Sequence, residues 1–154
     1  MYTESKTLPI SAIKNGVVID HVNVGQALTI ISILKLSSPE QPITLGLNLP
    51  SASMGSKDLI KLEEYRLTDE ECDKIAVLSP NVSVNIIQDF EIIEKMKLEL
   101  PDKIAAIAPC PNSRCITNHE KVESLFVINK RGPLAIQLRC HYCRKEMTQR
   151  CLSK

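Results

Sequence analysis

Residues 110–143 read CPNSRCITNHEKVESLFVINKRGPLAIQLRCHYC, and the two ends of this stretch decide how the chain is organised. Cys110 and Cys115 form a C-x4-C pair, Cys140 and Cys143 form a C-x2-C pair, and 24 residues separate the two. Pairs this short bring both sulfurs of each knuckle close to one point, and four soft thiolates close a tetrahedral structural zinc site. The segment between them supplies a hairpin: an apolar run from Glu123 to Asn129, a turn at Lys130-Arg-Gly-Pro133, and a second run from Leu134 to Arg139. Residues 101–154 contain a single Phe and cannot bury much core. A bound metal, worth an apparent ~10–16 kcal/mol in small zinc modules, supplies the missing stability. Four thiolates leave no open coordination position, so the expected Zn2+ is structural and not catalytic.

Other readings of the cysteines and histidines are weaker. Cys140-His-Tyr-Cys143 alone has the form of a redox pair, but the partner pair and the lack of a surrounding βαβ unit favour the metal. His119 or His141 could replace a cysteine as ligand, yet His141 sits inside a two-residue knuckle where its ring has to point away; both read as surface histidines. Cys72 shares a helical face with Ile75, Ala76 and Ser79 and reads as a buried, inert thiol. Cys151 lies outside both knuckles and has no evident partner.

Upstream of this stretch the composition changes. Residues 1–100 carry nine Lys+Arg against fourteen Asp+Glu, whereas residues 101–154 carry ten against four, so the overall charge of +1 is a cancellation. Five of the six cysteines fall in the second part. Between the two lies Leu100-Pro-Asp-Lys103, where Pro101 disfavours helix at Leu100 and cannot donate to a sheet ladder. The expected division is therefore a domain at 1–100 and a second at 101–154. With 44% hydrophobic and 24% charged residues the chain is globular in composition. No apolar run reaches the ~18 residues of a membrane span, and the opening residues are too polar for a secretory signal. A soluble, cytoplasmic protein without membrane contact is expected, and in that reducing compartment cysteines serve as metal ligands or buried thiols.

The first hundred residues alternate between strand and helix patterns. Gly16–Val22 is a short β-branched run suited to a buried strand. Asn23 is a candidate cap for a helix carrying Ala27, Ile30, Ile31 and Leu34, which Ser37-Ser-Pro39 stops. Ile43–Leu49 alternates with period two and ends at Pro50; Ser51–Ser56 reads as a loop and Asp58–Arg66 as another strand. Thr68-Asp-Glu-Glu71 has the form of a capping box opening a helix that Pro80 terminates. Asn81–Gln88 is a strand, and Phe90, Ile92, Met96 and Leu98 suggest a bent or bulged strand after it. Strand, helix, two strands, helix, strand is the split βαβ order, so the expected fold is α+β: a ferredoxin-like N-terminal domain followed by a small all-β zinc-binding domain.

Function is less legible from the residues alone. The chain has no Gly-rich phosphate loop, H-E-x-x-H or nucleophile elbow. Asp20-His21 is the only adjacent acid and histidine pair in the acidic half. It reads either as a solvated strand end, because strand neighbours point to opposite faces, or as an acceptor for ribose hydroxyls beside a phosphate-binding group. Lys57, Lys61 and Lys95 are the isolated cations that would serve such a site. In the basic half, Lys130, Arg131, Arg139, Arg144, Lys145 and Arg150 would suit a phosphate backbone, which makes a zinc-ribbon nucleic-acid-binding protein the alternative function. Against it, four thiolates and a zinc reduce the positive balance, and Phe126 and Tyr142 are poor provision for base stacking. An acidic protein partner explains the charge equally well.

Several segments together carry a family resemblance. Ala12-Ile13-Lys14-x-Gly16, Val18-Ile19-Asp20-His21, Ile43-Thr-x-Gly46-Leu-Asn-Leu-Pro-Ser51, Met54-Gly-x-Lys57-Asp-Leu-Ile-Lys61, Val84-Asn85, and the two knuckles make the chain resemble, over nearly all its length, the regulatory chains of aspartate carbamoyltransferase. The resemblance implies a non-catalytic allosteric subunit that binds CTP or ATP, with UTP a further candidate, and modulates the first committed step of pyrimidine synthesis. It implies pairing with a second copy through the N-terminal domain, docking of the zinc domain on the catalytic chain, and assembly of two catalytic trimers with three regulatory dimers. No nucleic acid enters this reading. By position, Ile10, Ala12 and Ile13 would line the base through backbone groups. Asp20 and Lys61 would meet ribose and base, while His21 and Lys95 would meet phosphates. Lys57 and Leu59 would border the pocket that Asn85, Ile87, Phe90 and Ile92 complete. The chain departs from the family pattern at Ser11, where an acid is familiar, and at Phe90, where a tyrosine is. Arg114 and Arg144 add positive charge at the expected docking face.

Overall fold

In a computed structural model, residues 12–35, 40, 42–131, 135–148 and 152 are described. Strands β1 (Gly16–Val22), β2 (Ile43–Ser51), β3 (Gly55–Glu63), β4 (Ser83–Gln88) and β5 (Glu91–Lys97) form an antiparallel sheet in the order β2-β3-β1-β4-β5. Helices α1 (Ala27–Leu34) and α2 (Asp69–Leu78) supply the crossovers, so the first four strands have the ferredoxin-like arrangement and β5 extends it. A second antiparallel sheet follows, β6 (Lys103–Ala105), β7 (Leu125–Arg131), β8 (Ala135–Cys140) and β9 (Glu146–Thr148), in that order. Among the described residues no helix is long and apolar enough to cross a membrane.

Period-two alternation explains which face of the first sheet is covered. Val17 and Ile19 of β1, Ile60 and Leu62 of β3, and Val84 of β4 are buried against the helices, which contribute Ala27, Ile30, Ile75 and Leu78. The intervening residues Val18, Asp20, Lys57, Leu59, Lys61, Asn85 and Ile87 therefore point to the other face, which carries no helix among the described residues. Gly16 is required where β1 opens: its φ is 143°, and a Cβ there would lie 2.1 Å from the Leu62 carbonyl oxygen. In the second sheet Phe126 and Leu138 are fully buried, with Ile104, Ile136 and Met147 around them.

Local signals placed most elements, and the differences have physical causes. The capping box is complete: Glu71 N–H donates to Thr68 Oγ1 (3.1 Å) and Thr68 N–H donates to Glu71 Oε1 (3.1 Å). Asn23 does not cap α1. Its carbonyl accepts from Gln26 N–H (3.0 Å), and the side chain that caps the helix is Asp58 on β3, whose Oδ2 accepts from Gly25 N–H (2.9 Å) and Ala27 N–H (3.3 Å). The strand expected over Asp58–Arg66 begins at Gly55 and ends at Glu63, because Ser51–Gly55 closes a hairpin and Glu64 turns left-handed (φ 52°). The bulge expected in β5 is present: Ile86 pairs with Glu94 but Ile87 pairs with Ile92, leaving Ile93 as the extra residue. Cys72 is half-buried and not buried, although burial and three acidic neighbours raise its thiol pKa. Ser37-Ser-Pro39, the turn at Gly132 and Pro133, Ile10, Ser11, Arg150 and Cys151 lie outside the described residues.

Candidate functional site

The helix-free face of the first sheet holds a cavity of about 480 Å³. Its floor follows from register. Val18 pairs with Lys61 on one side and Asn85 on the other, so three central strands place these side chains in one row. Ala12 and Ile13, just before β1, close one wall, and Asp20, Lys57, Leu59, Ile87, Phe90 and Ile92 also line the space. Ten of the residues singled out from sequence thus come together around one volume. Val18, Leu49 and Pro50 line it too and were missed. Val18 was within reach of the alternation argument, since it shares a face with Asp20; Leu49 and Pro50 arrive through the shifted register between Gly46 and Leu49, which no local pattern announces.

Two singled-out residues lie outside the lining. Lys95 is opposite Asn85 and so continues the row Lys61-Val18-Asn85 onto the edge strand, where it is exposed. His21 leaves the alternation because its backbone is left-handed (φ 58°), coinciding with the register shift between Ile19 and Val22. Its Nδ1 lies 3.1 Å from Ser83 Oγ and 3.7 Å from Asp20 Oδ2. Serine, histidine and aspartate are thus neighbours, but both contacts use the same ring nitrogen. A proton relay needs the two nitrogens to face different partners, so the trio lacks the geometry of an activated nucleophile.

The cavity's polar groups are few and charged. Lys57 Nζ lies 2.8 Å from Asp20 Oδ1, and both side chains are mostly buried, so the Asp20 carboxylate is held in the wall and not solvated as a strand end. Lys61 is only 8% exposed; burial lowers its pKa from the ordinary lysine value, and Asp20 offsets part of that shift. Two lysines against one aspartate leave the wall cationic, and the remaining lining is mainly apolar. A cavity of this size, apolar with a few placed charges, has the character of a small-molecule site.

The second site is the cysteine cluster. Cys110, Cys115, Cys140 and Cys143 bring their sulfurs within 4.8 Å of one another. Cys110 and Cys143 are 3.6 Å apart and Cys115 and Cys140 3.7 Å apart, far beyond the ~2.05 Å of a disulfide. A tetrahedron with Zn–S of ~2.3 Å has edges of about 3.8 Å, so the cluster fits a single structural zinc. The knuckles are shaped by their own backbones. Cys115 N–H donates to Asn112 O (3.0 Å), the Asn118 amide donates to Cys110 O (2.9 Å) and Asn112 O (2.8 Å), and Arg144 N–H donates to Cys140 O (2.9 Å) with Arg144 left-handed at φ 64°. Four sulfurs this close resist joint ionisation. Burial with Cys143 and Cys140 pushes the Cys110 thiol up to about 12, while at Cys143 burial is outweighed by hydrogen bonds from Asn112 and the Lys145 backbone, which bring it down to about 6. A divalent cation removes that conflict. His119 and His141 are exposed and stand apart from the cluster; His119 Nε2 lies 2.7 Å from Ser113 O.

Comparison with known proteins bears on both sites. A family model described as aspartate carbamoyltransferase regulatory chain, allosteric domain, matches residues 8–99, and one described as the metal binding domain of the same chain matches residues 102–152. The chain is 45% identical over 153 residues to the aspartate carbamoyltransferase regulatory chain of Tolumonas auensis, covering 99% of this chain and 98% of that one. It is 46% identical over 144 residues to that of Pyrococcus abyssi, covering 92% and 93%, and 43% identical over 153 residues to that of Photobacterium profundum, covering 99% and 98%.

Proposed function

The chain belongs to the aspartate carbamoyltransferase regulatory chain family, and from that premise we propose that its cavity receives CTP or ATP and that its zinc-bearing half passes the effect to a catalytic chain. The observation that carries the ligand assignment is the cationic, otherwise apolar cavity on the helix-free face, floored by Lys61, Val18 and Asn85. Its apolar walls suit a base, and Asp20 and Lys61 are spaced along one face to meet ribose hydroxyls and polar base edges. Lys57 and Leu59 border the cavity. The backbones of Ala12 and Ile13 reach the base from one side, and Ile87, Phe90 and Ile92 from the other. A triphosphate leaving over Asn85 passes toward exposed Lys95, with His21 at the neighbouring strand end.

The division of labour falls at residue 100: residues 1–100 bind nucleotide and pair with a second copy, and residues 101–154 dock on the catalytic chain. The assembly is two catalytic trimers joined by three regulatory dimers. Zinc's part is to hold the second half folded, and no proton or electron passes through it. This chain's own residues perform no chemistry on the carbamoyl group. They bind a nucleotide more tightly in one state of the assembly than in the other, which is the only way a ligand can shift such an equilibrium. Couplings of this kind are worth about 1–3 kcal/mol, or roughly 5–150-fold in affinity.

The test is reconstitution. Zinc-loaded chain mixed with catalytic trimers should form a larger assembly whose carbamoyl transfer changes on titration with CTP, ATP or UTP. Calorimetry on the chain alone should show saturable CTP binding. Absence of binding, or an assembly whose rate ignores all three nucleotides, would overturn the assignment.

A further inference from the structure

The turn between β4 and β5 is built against its own sequence. Asp89 and Phe90 are its two central residues, and both are left-handed, at φ 51° and 66°. A two-residue hairpin with both centres left-handed ordinarily takes Asn-Gly, and a bulky residue in that conformation is a rare one. Phe90 gains no burial in exchange. Its residue is 62% exposed, yet it lines the cavity, so the ring stands at the mouth with one side uncovered.

The turn is held from outside the hairpin. Asp89 N–H donates to Asn15 Oδ1 (3.1 Å), and Phe90 N–H donates to Lys14 O (2.9 Å). Asn15 is itself anchored at a third segment: its carbonyl accepts from Glu64 N–H (3.0 Å), and its amide donates to Glu64 Oε1 (3.4 Å). The half-buried Asn15 therefore ties the entry to β1, the exit from β3 and the β4–β5 turn together at one end of the cavity.

We infer that Asn15 is a positioning residue for ligand binding: it holds the β4–β5 turn left-handed so that the Phe90 ring covers the base of a bound nucleotide. The inference rests on the nucleotide reading of the cavity. It accounts for two features together, an unfavourable backbone at Phe90 and an exposed ring at a cavity mouth, because the bound base supplies the burial that the ring lacks. Asn15 touches the turn and not the ligand space, so its effect must pass through Phe90.

The chain contains no Trp, which makes the inference directly readable. In the full, zinc-loaded chain carrying Phe90→Trp, CTP should quench the single indole emission, as expected when an aromatic ring stacks on a base. Adding Asn15→Ala should weaken CTP binding about 5–10-fold and reduce the quench at saturation. In a chain with the native Phe90, Asn15→Ala should weaken CTP by a similar factor, whereas in a Phe90→Gly background the same change should cost less than twofold, since residues acting through one contact are not additive. The Phe90→Gly background also removes the conformational demand on the turn, so if Asn15→Ala alone fails to fold, the test rests on this background, where a loss of more than twofold refutes the inference. If the unaltered chain binds no CTP, the nucleotide reading itself is wrong. If it binds CTP but Asn15→Ala leaves affinity and quench unchanged, or costs as much in the Phe90→Gly background as beside the native Phe90, Asn15 does not act through the ring and the inference is refuted while the nucleotide reading stands.

Discussion

Asp58→Ala should destabilise the first half of the chain by about 2–4 kcal/mol, and the number follows from where its two oxygens point. Asp58 is 1% exposed on the helix side of β3. Oδ1 accepts from Asn48 N–H (2.9 Å), at the bulge in β2, and Oδ2 accepts from Gly25 N–H (2.9 Å) and Ala27 N–H (3.3 Å), at the start of α1. Hydrogen bonds to a charged acceptor contribute roughly 1.5–3 kcal/mol each, and a stranded buried donor costs about 1–3 kcal/mol. The three do not simply add. Gly25 and Asn48 lie at the surface, where water replaces the carboxylate, whereas Ala27 is fully buried and its N–H is left bare. One full penalty and two partial ones give the stated range. Asp58→Asn should be nearly as harmful, because its amide NH2 then faces a backbone donor. Among the described residues both α-helices belong to this half, so urea unfolding followed by helical circular dichroism isolates the effect. With a slope near ~2 kcal/mol/M, the midpoint should fall by about 1–2 M. A midpoint within ~0.3 M of the unaltered chain, for Ala or Asn, would refute the account of Asp58 as the cap of α1.

Four further outcomes are expected. Chelating zinc should unfold the sheet of residues 103–148, expose four additional thiols to a thiol reagent and abolish association with catalytic trimers, while CTP binding by the first half persists; calorimetry and sedimentation check these together. Lys57→Met removes the 2.8 Å partner of Asp20 and leaves a mostly buried carboxylate facing the cavity, so CTP affinity should fall at least tenfold by titration. Lys61→Met should cut CTP affinity yet raise the urea midpoint at pH 7, because burial disfavours the charged lysine. That handicap exists while both folded and unfolded lysine are protonated and is relieved as pH rises from the lowered folded pKa through the ordinary value of ~10.4, so the stability gap between variant and native chain should close at alkaline pH. Gly16→Ala puts a Cβ against the Leu62 carbonyl at a φ of 143°, and should cost roughly 1–3 kcal/mol or more in the same unfolding assay.

Signals contained within a few residues were readable from sequence, and those that depend on distant strands were not. Gly16–Val22 is a strand over the expected residues because a β-branched run needs only its own pattern, and Thr68 caps its helix because both partners of the box lie three residues apart. The cysteine cluster was legible for a related reason: each knuckle fixes two sulfurs locally, and the fold has only to close one hairpin. The three-residue strands β6 and β9 carry no periodicity of their own and exist because β7 and β8 offer edges to pair with. The cap of α1 defeated local reading because the competing acceptor, Asp58, is more than thirty positions away and reaches the helix only once β3 lies beside β1. Asp20, Lys57 and Lys61 were singled out as isolated charges, and the other cavity residues were named through family resemblance. Alternation alone groups Asp20 with Val18, and Lys57 with Leu59 and Lys61, but cannot say that these two sets share one face.

That grouping has a consequence for how a ligand signal could leave the cavity. A sheet separates the cavity from the helices, and β3 is the strand whose consecutive residues serve both sides: Lys57 lines the cavity and pairs with Asp20, while Asp58 holds α1. The outer residues of α1, Leu28, Thr29, Ser32 and Ile33, line a groove of about 370 Å³ with Ile107, Ala108, Pro109 and Leu152 of the second half. Lys57 and Asp58 share one peptide unit, so a backbone shift of β3 at Lys57 would reach Asp58, whereas a movement of the Lys57 side chain alone would not. Fully buried and bonded to three backbone amides, Asp58 has little freedom to absorb such a shift by changing rotamer. Such a backbone shift would be felt at the start of α1, whose outer face lines the groove. The sequence separation between the cavity and the second half thus overstates their spatial separation: one strand, one capped helix and one groove lie between them.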